Sequence, residues 1–246
     1  MNKLKSYTII ALFLGIGCKC KPTTTASGIA SITYKEEIDT FTNDQKKLIQ
    51  EVVLASEKEV RALLPKLPKE IQVEIEIVDW DLDAVGGVTG RTETNSPPFV
   101  AIQLSNKFPG GPTTSIGTYL KSTLFHEFHH LYRGWAIKDN TFAQGIDIAA
   151  INEGLAVVFS QEYTQIILKA DNPPEDAIAE QWAKEILALP KNANYREWMF
   201  EHPDGRLAIG YRTGNFMVRK AMANAKKGIL EMSQYRPEEI LEIAGY

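Results

Sequence analysis

His126-Glu127-Phe128-His129-His130 is the stretch on which the reading of this chain turns. Successive residues of an α-helix are about 100° apart, so His126 and His130, four apart, leave one face together with Glu127 beside them. Two imidazoles at that spacing form one half of a metal centre. The surrounding segment is helical in pattern. Between Ser115 and Arg133 the apolar residues Ile116, Leu120, Leu124, Phe128 and Leu131 recur every three or four positions, opposite the histidines. Thr113, Thr114 and Ser115 are candidate N-caps, and Gly134 is a C-terminal stop.

A catalytic zinc takes about three protein ligands and keeps one position for water, which leaves two histidines short by one. Downstream lies Ile151-Asn152-Glu153-Gly154-Leu155-Ala156, in a second helical segment from Asp147 to Lys169. Glu153 is the expected third ligand to one Zn2+ per chain, with Glu162 the alternative acid nearby. Glu127 is then the general base, which takes a proton from zinc-polarised water and passes it to the leaving amine. His129 points about 100° away from His130, which suits a packed residue or a partner of a ligand better than a fourth ligand. Asn152, Asp147 and Arg212 are candidates to orient ligands or substrate, or to serve as caps.

HEFHH followed by NEGLA resembles the gluzincin division of the zincin metallopeptidases, in which a second helix donates a glutamate ligand. NEGLA is similar to the NEGFA-type stretch of a zinc aminopeptidase family. The doubled histidine with EGLA is closer still to bacterial zinc-dependent protease families. The resemblance covers roughly residues 86–214. It implies a peptidase acting on a peptide or protein substrate, and an oxyanion donor, Tyr or His, on a later helix. Tyr211, in Gly210-Tyr211-Arg212-Thr213-Gly214, is the candidate, with His202 and Tyr195 as alternatives. The chain departs from the pattern twice. Val157 stands four residues after Glu153, where thermolysin-like enzymes have an aspartate that partners the metal ligands, and no GxMEN stretch lies upstream.

The expected fold is α+β and zincin-like, a small N-terminal β-sheet packed with the active-site helix and followed by a mainly helical lobe. Asn43 to Leu64 is an amphipathic helix capped by Thr42. Ile71 to Val78 alternates as a half-buried strand. Gly86 to Thr92 and Phe99 to Leu104 follow as strands around the turn Asn95-Ser96-Pro97-Pro98. Helices are expected at Asp147–Lys169, Pro174–Leu189 and Ile209–Ala225. In zincins an edge strand beside the active helix pairs with extended substrate. Gly86-Gly87-Val88-Thr89-Gly90 fits that role or an ordinary glycine-rich hairpin.

Lys3 and Lys5 precede the apolar run Ile9 to Ile16, which is short for a permanent span and suits a signal peptide. Gly15-Ile16-Gly17-Cys18 resembles a bacterial lipobox. Residues 1–18 are therefore read as signal peptide, 19–30 as a flexible tether, and 31–246 as one domain with lobes at 31–134 and 135–246. The expectation is an exported lipoprotein at the outer membrane or cell surface, held by a lipid anchor at Cys18, or else a periplasmic or secreted protein. So short a tether leaves no room for a conventional inhibitory prodomain, and activity without maturation is expected. Cys18 and Cys20 are the only cysteines, so the folded part relies on packing. With 27 basic and 31 acidic residues, dispersed, nothing in the chain suggests nucleic acid. Two other functions remain open at this level. One is a non-catalytic surface lipoprotein that binds zinc, peptide or glycan, its site closed by a ligand such as His129. The other is a zinc hydrolase directed at cell-wall peptides or glycoproteins, with Trp135, Trp182 or Trp198 stacking on sugars.

Overall fold

The computed structural model describes residues 27–136 and 144–246. Its strands are β1 (Ile29–Lys35), β2 (Ile71–Val78), β3 (Val88–Asn95) and β4 (Pro98–Ser105), in the order β1-β2-β4-β3. β1, β2 and β4 run parallel, and β3 lies antiparallel to β4 at the sheet edge. The long α1 (Asn43–Leu63) makes the crossover between β1 and β2 that a parallel pair needs. Thr42 caps it through a reciprocal capping box with Gln45. In β2, Ile71, Val73, Ile75 and Ile77 are buried, as their alternation requires.

The chain after β4 is helical: α2 (Gly111–Thr118), α3 (Leu120–Arg133), α4 (Ile146–Thr164), α5 (Asp176–Leu187), α6 (Tyr195–Met199), α7 (Ile209–Ala225), α8 (Ile229–Met232) and α9 (Pro237–Ala244). The molecule is thus α+β, with a small sheet packed against the histidine helix α3 and a mainly helical remainder. Among the described residues no helix is long and apolar enough to cross a membrane.

Several boundaries differ from expectation for physical reasons. The helix expected from Ser115 to Arg133 divides at Tyr119. Its first part starts earlier, at Gly111 behind the N-cap Gly110, because Pro112 fixes the first turn, so Thr113, Thr114 and Ser115 lie inside α2 and do not cap it. The stripe Ile116, Leu120, Leu124, Phe128 and Leu131 is buried as expected, and Gly134 ends α3 in the left-handed region. β3 starts at Val88 and not at Gly86, since Gly86 and Gly87 both have positive φ. α4 stops at Gln165, which is itself left-handed, well short of Lys169. β1 takes Ile29 and Ala30 from the end of the proposed tether, and Gly28 N donates to Glu57 Oε1 at its root. The signal peptide, the lipobox-like end and the rest of the tether lie outside the described residues.

Candidate metal centre

α3 and α4 pack against each other, and their facing sides bring together His126, His130 and Glu153. His126 Nε2 lies 3.1 Å from Glu153 Oε2, His130 Nε2 lies 3.0 Å from the same oxygen, and the two ring nitrogens are 2.9 Å apart. Ligands about 2.0–2.1 Å from a tetrahedral zinc form a triangle with edges of about 3.3 Å. The observed triangle is a few tenths smaller, within a small side-chain adjustment of that geometry. Glu153 and His130 are buried, whereas His126 keeps some exposure and marks the open side. Donor chemistry and geometry both fit zinc. Glu162, the alternative acid, is not part of the cluster.

Without a metal the three groups hold each other's protons. Burial works against a charged His126, but the Glu153 hydrogen bond and the charges of Glu127, Glu153 and Asp171 outweigh it and raise its pKa to about 9. Burial likewise works against an ionised Glu153. The charge of His130 and the hydrogen bonds from both histidines still hold that carboxyl below the usual range. A cation entering the cluster takes over this role and displaces the proton.

Glu127 is buried next to the cluster, on the side of β3. Thr92 Oγ1 lies 2.9 Å from Glu127 Oε2 and 3.0 Å from the Glu127 carbonyl oxygen, which fixes the carboxylate. Gly90, one residue pair earlier on the same strand, makes room for it: a Cβ there would sit 2.6 Å from Glu127 Cγ and 2.8 Å from Oε1. The part of the glycine-rich stretch nearest the helix therefore accommodates the proposed base.

The support expected from position 157 comes from elsewhere. Val157 is fully buried in the core, and Trp135, just beyond the α3 stop, donates its indole Nε1 to Glu153 Oε1 at 3.2 Å. One oxygen of Glu153 thus faces the histidines and the other is held by Trp135. His129 is turned away: its Nε2 pairs with Ser233 Oγ at 2.8 Å and its ring packs on Phe159. Asn152 accepts from Arg133 Nε and donates to the Ile148 carbonyl. Asp147 pairs with Lys191, and Arg212 donates to the Asn172 carbonyl and lies over Trp182.

Of the oxyanion candidates, Tyr211 is the one on the site. Its ring centroid is 6.3 Å from that of His126. Burial, then the charges of Glu153, Tyr195 and Glu127, push its hydroxyl well above 10, so it is a proton donor at neutral pH. Tyr195 hydrogen-bonds Tyr211 from behind and is shifted upward by burial and the same carboxylates. His202 is engaged in its own loop, with Nδ1 2.8 Å from Asp204 Oδ1 and its ring against Trp198.

Three residues whose roles here sequence reasoning missed complete the site. Thr92 and Trp135 are those just described. The third is Asp171, from the segment between α4 and α5, whose carboxyl is buried. Burial pushes it up to about 6, with His126 opposing and Glu153 adding to the shift. Only Thr92 had a local signal, its place two residues beyond Gly90 on the strand facing α3.

Residues 112–242, more than half of the chain, match the profile of a family described as a predicted Zn-dependent protease (DUF2268). No curated protein and no solved structure matches the chain. The matched span holds α3, α4 and α7, and with them both histidines, Glu127, Glu153 and Tyr211. The chain belongs to the DUF2268 family of predicted Zn-dependent proteases.

Proposed function

We propose that this protein is a zinc-dependent peptidase of the gluzincin type, with His126, His130 and Glu153 as metal ligands. The observation that carries the reading is the juxtaposition of a three-donor cluster with a separate buried carboxylate, Glu127, oriented by Thr92. A structural metal site has no use for such a base. Bound zinc would polarise a scissile carbonyl and lower the pKa of water at the site. Glu127 receives the proton of the attacking water and delivers it to the leaving amine. Tyr211 donates its hydroxyl proton to the developing oxyanion, and Tyr195 holds that hydroxyl in place. Among the described residues β3 bonds only to β4, which leaves its outer edge to pair with an extended peptide.

The non-catalytic alternative calls for a filled fourth position, and the bond from His129 to Ser233 speaks against that residue filling it. For the glycan-directed alternative, Trp135 is committed to Glu153, while Trp182 and Trp198 both carry Arg206 over their rings. Export and lipidation at Cys18 are part of the proposal, and the mass of the N-terminal peptide of membrane-extracted protein tests them. The main test is metal content and peptide cleavage by purified protein, beside His130→Ala and Glu127→Gln. The expected result is about one zinc per chain, lost in His130→Ala and kept in the inactive Glu127→Gln. Protein that takes up no zinc at neutral pH would overturn the reading.

A further inference from the structure

The segment between α4 and α5 is tied down at three consecutive residues. Ala170 N–H donates to the carbonyl of Ala84, in the short 3-10 turn (Asp83–Val85) that precedes β3, at 3.1 Å. The Asp171 carbonyl accepts from Asn215 Nδ2 at 2.8 Å, and the Asn172 carbonyl accepts from Arg212 Nε at 2.7 Å. Asn215 is itself held by Arg219 and Gln161. A connecting segment bound both to the turn before β3 and to α7, on which Tyr211 and Asn215 lie one turn apart, holds Asp171 in a fixed place. That residue is 8 % exposed, and its charge is felt by His126 and Tyr211. Among the described residues nothing donates a hydrogen bond to its carboxylate, and His126, the cation whose charge it feels, makes no direct ion pair with it. A buried carboxylate without a partner is destabilising. Folding alone does not explain why three hydrogen bonds position one beside a metal centre.

We propose that Asp171 is a specificity-determining residue whose carboxylate receives an ammonium group of the substrate next to the metal centre. The inference rests on the peptidase reading above. The ammonium has two possible sources, the free N-terminus of a peptide or a lysine side chain, and both present the same charged donor to the same acceptor.

The test measures binding separately from turnover. Zinc-loaded Glu127→Gln protein is titrated calorimetrically with four short peptides: free or acetylated at the N-terminus, each with lysine or norleucine beside the scissile bond. Peptides carrying the recognised ammonium should bind on the order of tenfold to a hundredfold tighter than the acetylated norleucine peptide. A gain that follows the free N-terminus indicates an aminopeptidase, and one that follows lysine a basic-residue endopeptidase. In the Glu127→Gln background, Asp171→Asn should abolish the preference and Asp171→Glu should keep it, both with unchanged zinc affinity. Equal affinity for all four peptides, binding of none, or a preference that survives Asp171→Asn would overturn the proposal. Uniform weakening together with loss of zinc would overturn it too, by making Asp171 a positioning residue for His126. The comparison within Glu127→Gln stands even if the Asp171 variants do not fold. Cleavage by the unaltered protein tests the peptidase reading on its own.

Discussion

Gly154 on α4 and Gly214 on α7 meet backbone to backbone: a Cβ on Gly154 would penetrate the Gly214 carbonyl, and one on Gly214 the Ala150 oxygen. Glu153 is the neighbour of Gly154, and Tyr211 lies three residues before Gly214 on α7. The close crossing therefore sets the depth at which the tyrosine faces the metal cluster. Gly214→Ala should separate the helices, at a cost of about 1–3 kcal/mol of stability. A lowered urea midpoint with unchanged slope is the expected result. A midpoint equal to that of the unaltered protein would show that the crossing relaxes freely.

Tyr211→Phe removes the proposed oxyanion donor and leaves the ring that packs near His126. Peptide hydrolysis should fall about 10²–10³-fold in kcat, with zinc content and KM little changed. A matching loss with Tyr195→Phe and none with Tyr211→Phe would transfer the role to Tyr195.

Thr92→Val keeps the shape of the side chain and removes the hydroxyl that orients Glu127. Leaving the buried carboxylate one hydrogen bond short should lower kcat by about tenfold, the equivalent of roughly 1.4 kcal/mol, without loss of metal. Rates unaffected by Thr92→Val would mean that another group orients Glu127.

What the sequence disclosed was what local periodicity encodes. His126 and His130 lie one helical turn apart, and the apolar stripe opposite them implied the burial that the structure has. Glu153 was legible because a second helix carries it in a recognisable string. Asp171 was not, since its place depends on bonds to Ala84, Asn215 and Arg212, each at least 40 positions away in sequence. Trp135 was read only as an aromatic able to stack on sugars, and only the approach of α4 makes it a partner of Glu153. β1 was missed because Ile29–Lys35 opens on the adjacent pair Ile29-Ala30, and its alternation is confined to Ile32 and Tyr34. The short α6, α8 and α9 lacked the length that a periodic pattern needs.

Trp135 donates its indole N–H to the Glu153 oxygen that does not face the histidines. Trp135→Phe removes the donor to Glu153 Oε1 while keeping an aromatic ring, and zinc affinity measured against a competing chelator should drop about 10–100-fold. Unchanged affinity would make the indole a packing residue only.

The metal-free cluster predicts opposite pH responses with and without zinc. The pKa of His126 is raised from 6.5 to about 9, so its contribution to folding is complete below 6.5 and disappears as pH rises through 9. That of Glu153 is lowered, so its contribution is present above 4.5 and fails only in stronger acid. The chelator-treated protein should therefore be most stable between these values, and its Tm should fall from pH 6.5 to 9. Zinc needs the same groups deprotonated, so zinc affinity should rise over that interval, with about one proton released per ion bound. Calorimetry in buffers of different ionisation enthalpy counts that proton directly. A Tm of the metal-free protein that stays level across this range would show that His126 and Glu153 do not share a proton.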